Sequence, residues 1–162
     1  MEFLRSIIHP KDNTPVSYEV KDIITRKKQQ YCRYADNHQW QNMFNIALPE
    51  AIFRFFKQDG EFFSSQGRDF NFASTDEFTK CLGEYNKASQ TVHLIGPGEF
   101  EQAQPDEVKV IWSLIFHQAG MEGSDLAHHT GGGYYHETWR RKGNDWFLQD
   151  LKLETTFYRV IG

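Results

Sequence analysis

Cysteine is scarce in this chain, and its scarcity removes two architectures at once. The only two, Cys32 and Cys81, show neither metal-ligand spacing nor a disulfide framework. Both read as small core side chains of helices, in a reducing compartment such as the cytosol. Long apolar runs are missing too. No window approaches the roughly 18 apolar residues of a membrane-spanning helix, and the amino-terminal MEFLRSIIHP is no exception, so a soluble, cytoplasmic protein is expected. Basic clusters are also absent. The formal net charge is −4, and Arg26-Lys27-Lys28 is a run of only three, read as the solvated face of a helix. That excludes the electrostatic footprint of a nucleic-acid-binding protein.

Three catalytic or ligand motifs fail as well. Gly131-Gly132-Gly133 is followed by no Lys-Ser/Thr and opens no helix, so it is not a phosphate loop. No serine sits in a Gly-x-Ser-x-Gly elbow. His128-His129 has no accompanying cysteine or carboxylate cluster, and no metal site is expected.

Aromatic rings are what the chain has in quantity, with 14 Phe, 7 Tyr and 4 Trp among 162 residues. They can fill a core or line a cavity for a flat, polycyclic ligand. One domain accounts for the length. Residues 1–16 hold two prolines and no period, and read as an arm on the surface or on a neighbouring subunit. From Ser17, the spacing of Val20, Ile23, Ile24, Tyr31, Tyr34 and Ala35 predicts one long amphipathic helix. A short helix follows Asn37 and is expected to end at Pro49, and AIFRFF (51–56) has strand composition. Residues 57–73 read as a long connection, a candidate lid. Ser74-Thr75-Asp76-Glu77 is a capping box opening a helix through Phe78, Cys81, Leu82 and Tyr85.

The rest reads as sheet, with strands over about 90–95, 99–104, 107–118, 132–142 and 146–158. Residues 119–133 read as a mobile glycine-rich loop. Helices first and meander strands afterwards indicate an α+β fold whose curved, mostly antiparallel sheet encloses a cone-shaped cavity. In the strand 107–118, Val108, Val110, Trp112, Leu114 and Phe116 share one face, and Ile111, Ser113, Ile115 and His117 share the other. Both faces are largely apolar, so His117 is expected to point into an enclosed space, as is His93 in TVHLIG (91–96). Each could be a hydrogen-bonded core imidazole. Alternatively, with Asp36 leaving the first helix to orient and charge one of them, they form an acid/base site.

The order of helix, Asp-x-x-x-Trp in DNHQW, strand, capped helix, Thr-x-His-x-Ile-Gly, long strand ending in His-Gln, and hairpin into GNDWFLQDLKLE resembles the SnoaL-like branch of the NTF2-like superfamily. Within it the chain is most similar to scytalone dehydratase and its fungal relatives, over about residues 18–158. The resemblance implies an NTF2-like barrel over residues 17–162 with a deep apolar pocket and a homo-oligomer, dimer or trimer. It also implies a lyase or isomerase without cofactor or metal, acting on a hydrophobic polyketide- or terpenoid-type secondary metabolite. Asp36 falls on the family's aspartate, His93 and His117 on its pocket histidines, and Tyr31 resembles the tyrosine of the related bile-acid dehydratases. Phe53, Trp112, Tyr134 and Tyr135 are expected to touch substrate. Two carbonyl-positioning tyrosines of scytalone dehydratase correspond here to Ala35 and Phe53, and small polar residues of its late strand to Gly133 and Tyr135, which argues against scytalone itself as substrate. A cyclase or pericyclase that shapes its substrate, or a non-catalytic ligand-binding module, are the alternatives on the same fold.

Overall fold

The computed structural model describes residues 14–161. Most of the arm expected over residues 1–16 lies outside them. Helix α1 spans Tyr18–Asp36, and the Ser17 side chain caps it by accepting the Val20 N–H at 3.3 Å. Its buried stripe runs Ile24, Lys28, Tyr31, Ala35, the spacing of four, three and four that keeps residues on one helix face. The expectation that Arg26-Lys27-Lys28 is solvated therefore fails at Lys28, which that spacing carries into the core. The helix stops at Asn37, whose side chain and backbone N–H both bond the Arg33 carbonyl, and the next residue, His38, is left-handed at φ 55°.

A 3-10 turn, Trp40–Asn45, leads into β1, Ala47–Phe56. Pro49 sits inside this strand and not at a helix end. The pairing of β1 shifts register between Ala47 and Ile52, and such an irregularity accommodates a residue without an N–H. The long connection expected over residues 57–73 carries three two-residue strands: β2 (Ser64–Ser65) pairs with β3 (Arg68–Asp69), and β4 (Asn71–Phe72) lies against β1. Helix α2 is Thr75–Asn86. Half of its capping box forms: Ser74 accepts the Glu77 N–H at 3.1 Å, while the Glu77 carboxylate accepts the N–H of Ala73, one residue before the cap, at 3.2 Å.

Strands β5 (Ser89–Ile95), β6 (Glu99–Gln104), β7 (Glu107–Gly120), β8 (His128–Lys142) and β9 (Asp145–Ile161) complete the sheet. Its order is β4-β1-β9-β8-β7-β5, with β6 also on β7. Every pairing is antiparallel except β1 with β9, so the fold is the expected α+β arrangement. The glycine-rich loop is shorter than expected, because β8 begins at His128 and holds Gly131, Gly132 and Gly133 as strand residues. At Gly133 a Cβ would meet the Glu154 carbonyl oxygen at 2.0 Å, so only glycine lets the two backbones approach where the β8–β9 register shifts.

Both expectations about strand 107–118 need correction. Val108, Val110, Trp112 and Leu114 are buried, whereas Lys109, Ser113, Ile115 and His117 are exposed, so only one face is covered by the helices. Beneath α1 the core contains a saturated polar knot. Lys28 Nζ lies 2.5 Å from Glu137 Oε1, while both indoles, Trp112 and Trp139, donate to Glu137 Oε2 at 2.8 and 2.9 Å. Lys28 Nζ also rests 3.4 Å from the Tyr135 ring centre. A buried ion pair persists only when its remaining hydrogen-bonding capacity is met in this way.

Candidate functional site

The covered face of the sheet and the two helices enclose a cavity of about 120 Å³. A dry cavity of roughly 150 Å³ takes a benzene ring, so the inner space holds about one ring, with any further part of a ligand running toward the mouth. Its walls are mostly rings, among them Phe55, Phe70, Phe78 and Phe116, with Leu82, Leu114 and Leu153 beside them. The polar groups in this apolar lining are few: His93 and Thr91 from β5, Gln118 from β7, Asn86 from α2, and four tyrosines, Tyr31, Tyr85, Tyr135 and Tyr158.

Asp36 and His93 meet as expected. His93 Nδ1 lies 2.6 Å from Asp36 Oδ1, the Thr91 hydroxyl donates to the same oxygen at 2.9 Å, and the His93 backbone N–H donates to Oδ2 at 3.1 Å. A carboxylate in the last turn of a helix opposes the negative end of the helix dipole. Three donors offset that cost and fix the group. A carboxylate at Nδ1 holds the proton there, so Nε2 is the nitrogen left for a bound molecule. Both side chains keep some solvent exposure, 18% for His93 and 16% for Asp36, and His93 lines the cavity. The pair can therefore exchange a proton with something bound there.

Tyr31 and Tyr135 also line the cavity. Burial, above all, pushes both phenols well above their ordinary range, so they remain protonated and can serve as hydrogen-bond donors at neutral pH. Four expected site residues lie elsewhere. His117 stands on the outer face, because strand alternation puts it opposite Val92 and Thr130, and its ring neighbours His128, 5.9 Å away between centres. Tyr134 shares that outer face. Phe53 is wholly buried behind the wall, stacked on Phe78 at 4.0 Å. Trp112 is buried with its N–H on Glu137 and does not reach the cavity.

Phe116, Tyr85, Gln118 and Tyr158 were missed. For Phe116 and Gln118 the signal was available, since period-two alternation puts them on the Leu114 face; Tyr158 required knowing how β9 is registered on β8. Burial raises the Cys32 thiol to about 11, so it is not a nucleophile. Among the described residues no cluster of three or more metal-ligating side chains occurs, and no helix is long and apolar enough to cross a membrane.

A model of the SnoaL-like domain matches residues 17–152. A Gibberella zeae protein named "Probable cyclase FGR4" is 40% identical over 146 residues, covering 90% of this chain and 97% of that one. Among solved structures, a Novosphingobium aromaticivorans protein named "Putative Scytalone Dehydratase" superposes with a TM-score of 0.71 at 13% identity, over 87% of each chain. The hexachlorocyclohexane dehydrochlorinase LinA-type3 of Novosphingobium barchaimii gives 0.69 at 13% identity, over 88% of this chain and 90% of that one. At those identities the two structures speak to the fold, and they agree with the sheet and helices described above. With the domain match spanning most of its length and a close relative covered almost end to end, the chain belongs to the SnoaL-like family of the NTF2-like superfamily.

Proposed function

We propose that the chain is an acid/base enzyme, a dehydratase or isomerase, acting on a hydrophobic polyketide- or terpenoid-type metabolite. The observation that carries this reading is the 2.6 Å contact between Asp36 and His93 on the wall of a ring-lined cavity. A core imidazole would be sealed; this one is held by a carboxylate and open to a ligand. His93 Nε2 takes a proton from a carbon made acidic by a neighbouring carbonyl, and Asp36 stabilises the imidazolium that results. Tyr31, whose oxygen accepts from the Tyr135 phenol, donates toward the oxygen that gains charge. Every group this step needs is a side chain of the chain itself, so it calls for no metal or cofactor.

A second reading, ring closure of a polyketide or terpenoid chain, is favoured by the 40% identical relative named as a cyclase. It uses the same first step, with the carbanion attacking carbon instead of expelling oxygen. Self-association is part of the proposal as well. Val92, Leu94, Ile115, Tyr134 and Phe157 are exposed on the face of the sheet away from the helices, and apolar side chains gathered on one sheet face support contact with a second copy.

The test uses β-tetralone, a bicyclic aromatic ketone, whose exchange of protons beside the carbonyl in heavy water is followed by proton NMR. The wild type is expected to accelerate exchange over buffer, and His93→Ala to lose about a hundredfold or more of that acceleration. A folded His93→Ala variant exchanging at the wild-type rate would overturn the proposal.

A further inference from the structure

With His117 on the outer face, proton chemistry at His93 needs a second group from the cavity itself. Four phenols reach the cavity. Tyr31 and Tyr135 are 4% and 1% exposed, so a proton given up there has no short route for replacement from water. Tyr158 is placed differently. It lines both the cavity and a surface groove shared with Lys57, Asp59 and Phe63, which sets it at the mouth, and its hydroxyl is hydrogen-bonded to Nδ1 of half-buried His129.

The sheet register aligns this phenol with His93. His93 is opposite Phe116, Phe116 is opposite Gly131, and Gly131 is opposite Tyr158, one row crossing β5, β7, β8 and β9. The Phe116 ring lies 6.1 Å from the His93 ring and 6.4 Å from the Tyr158 ring, tilted by 28° and 36° to them. Gly131 provides the space for it: a Cβ there would come within 2.6 Å of Phe116 Cζ. Phe116 is thus a shelf with a base at one end and a phenol at the other. Burial, with Tyr85 nearby, raises the Tyr158 phenol above its ordinary value, so it holds its proton at neutral pH until an acceptor binds.

We infer that Tyr158 is a second catalytic residue, oriented by His129, which protonates an oxygen of a flat conjugated substrate lying on Phe116 while His93 removes a proton from carbon nearer the inner end. This rests on the Asp36–His93 reading above. In an elimination, the C–H bond breaks and its proton goes to His93 Nε2. The electron pair forms a π bond to the neighbouring carbon, each π bond of the conjugated stretch moves one place along, the C–O bond at its far end breaks, and the departing oxygen leaves as water with the Tyr158 proton. The phenolate, its oxygen held by His129, then takes a proton from water in the surface groove, and His93 returns its proton to the hydroxide left behind. Atoms and charge balance without a co-reactant, and nothing is oxidised. His129, which acts through the phenol, is a positioning residue. The three strand spacings between the two ends, about 14 Å along the sheet before curvature, suit a substrate reacting at separated ends of a conjugated stretch.

Dehydration of 8-hydroxyocta-4,6-dien-2-one, whose acidic C–H and departing hydroxyl stand at opposite ends of a diene, tests this with Tyr158→Phe, which removes one oxygen atom and leaves the ring, and with His129→Gln; the trienone formed is followed by its ultraviolet absorbance. Tyr158→Phe should lower the dehydration rate by about thirtyfold or more, with the half-saturating ketone concentration changed by less than about threefold. His129→Gln should change the shape of the pH profile of the dehydration rate, which a merely structural imidazole would not do. If His93→Ala abolishes dehydration while Tyr158→Phe dehydrates at the wild-type rate, the inference is wrong and the base assignment stands. If Tyr158→Phe raises the half-saturating concentration and spares the rate, the phenol is a binding group and the inference is wrong. A wild type that exchanges β-tetralone but does not accelerate this dehydration over buffer would overturn the inference alone, and one that does neither would overturn both readings.

Discussion

Asp36 and His93 were legible in the sequence because a carboxylate at a helix exit and an imidazole in an apolar strand each need a partner, and their types leave few choices. His117 met the same criterion and fails it in the structure, for a reason of parity. One residue along a strand reverses the face, and the apolar outer face of β7 made both sides look covered. The null effect of His117→Ala on β-tetralone exchange is therefore expected, and a loss comparable to that of His93→Ala would contradict the placement. Lys28 was illegible because a lysine in a basic run looks solvated until its partner, distant Glu137, is known. Lys28→Met leaves Glu137 a buried, unpaired carboxylate and should cost about 3–5 kcal/mol of stability. Lys28→Met with Glu137→Gln keeps an acceptor for the two indoles and should recover most of that loss in urea unfolding; a double variant no more stable than the single one would show that charge is not what holds this knot. The thiols offer a simpler check. Cys32, 4% exposed and raised to about 11, holds almost no thiolate at pH 8, so iodoacetamide should label Cys81 well before Cys32, and prompt labelling of Cys32 in the folded protein would contradict its burial.

At the scale of elements, helices were easier to read than strands. The stripe of α1 and the Ser74 cap of α2 are local patterns that the fold keeps. Pro49 and the three glycines of β8 misled because their local meaning, a stop and a loop, is overridden by the partner strand. A register shift takes up the proline, and the glycines are needed where rings or backbone press against the strand. Gly133→Ala would drive a methyl group into the Glu154 carbonyl and should destabilise the fold by about 1–3 kcal/mol. Gly131→Ala would instead push against Phe116 and Phe157. Its larger effect should fall on the half-saturating concentration of β-tetralone, read at a temperature where the variant is folded, and an unchanged value would argue that Phe116 is not the shelf.

For the whole molecule, the sequence indicated α+β layers and a cavity but not which rings line it, since that depends on how five strands are registered against one another. The outer face depends on the same register, which brings Leu94 beside Ile115 and Ile115 beside Gly132, itself next to Phe157. Light scattering should find an oligomer at micromolar concentration, and Leu94→Glu with Ile115→Glu should shift it to monomer with the circular dichroism unchanged. A wild-type monomer would show that this apolar face has another use.

The central claim is that Asp36 and His93 act as one proton-handling unit, and a double-variant cycle on β-tetralone exchange tests it most directly. Asp36→Asn removes the charge that stabilises the imidazolium, His93→Ala removes the base, and the double variant removes both. If they are one unit, Asp36→Asn should lose about tenfold or more, and the double variant should exchange no more slowly than His93→Ala alone. Losses that multiply in the double variant, or an Asp36→Asn protein as fast as the wild type, would contradict the account.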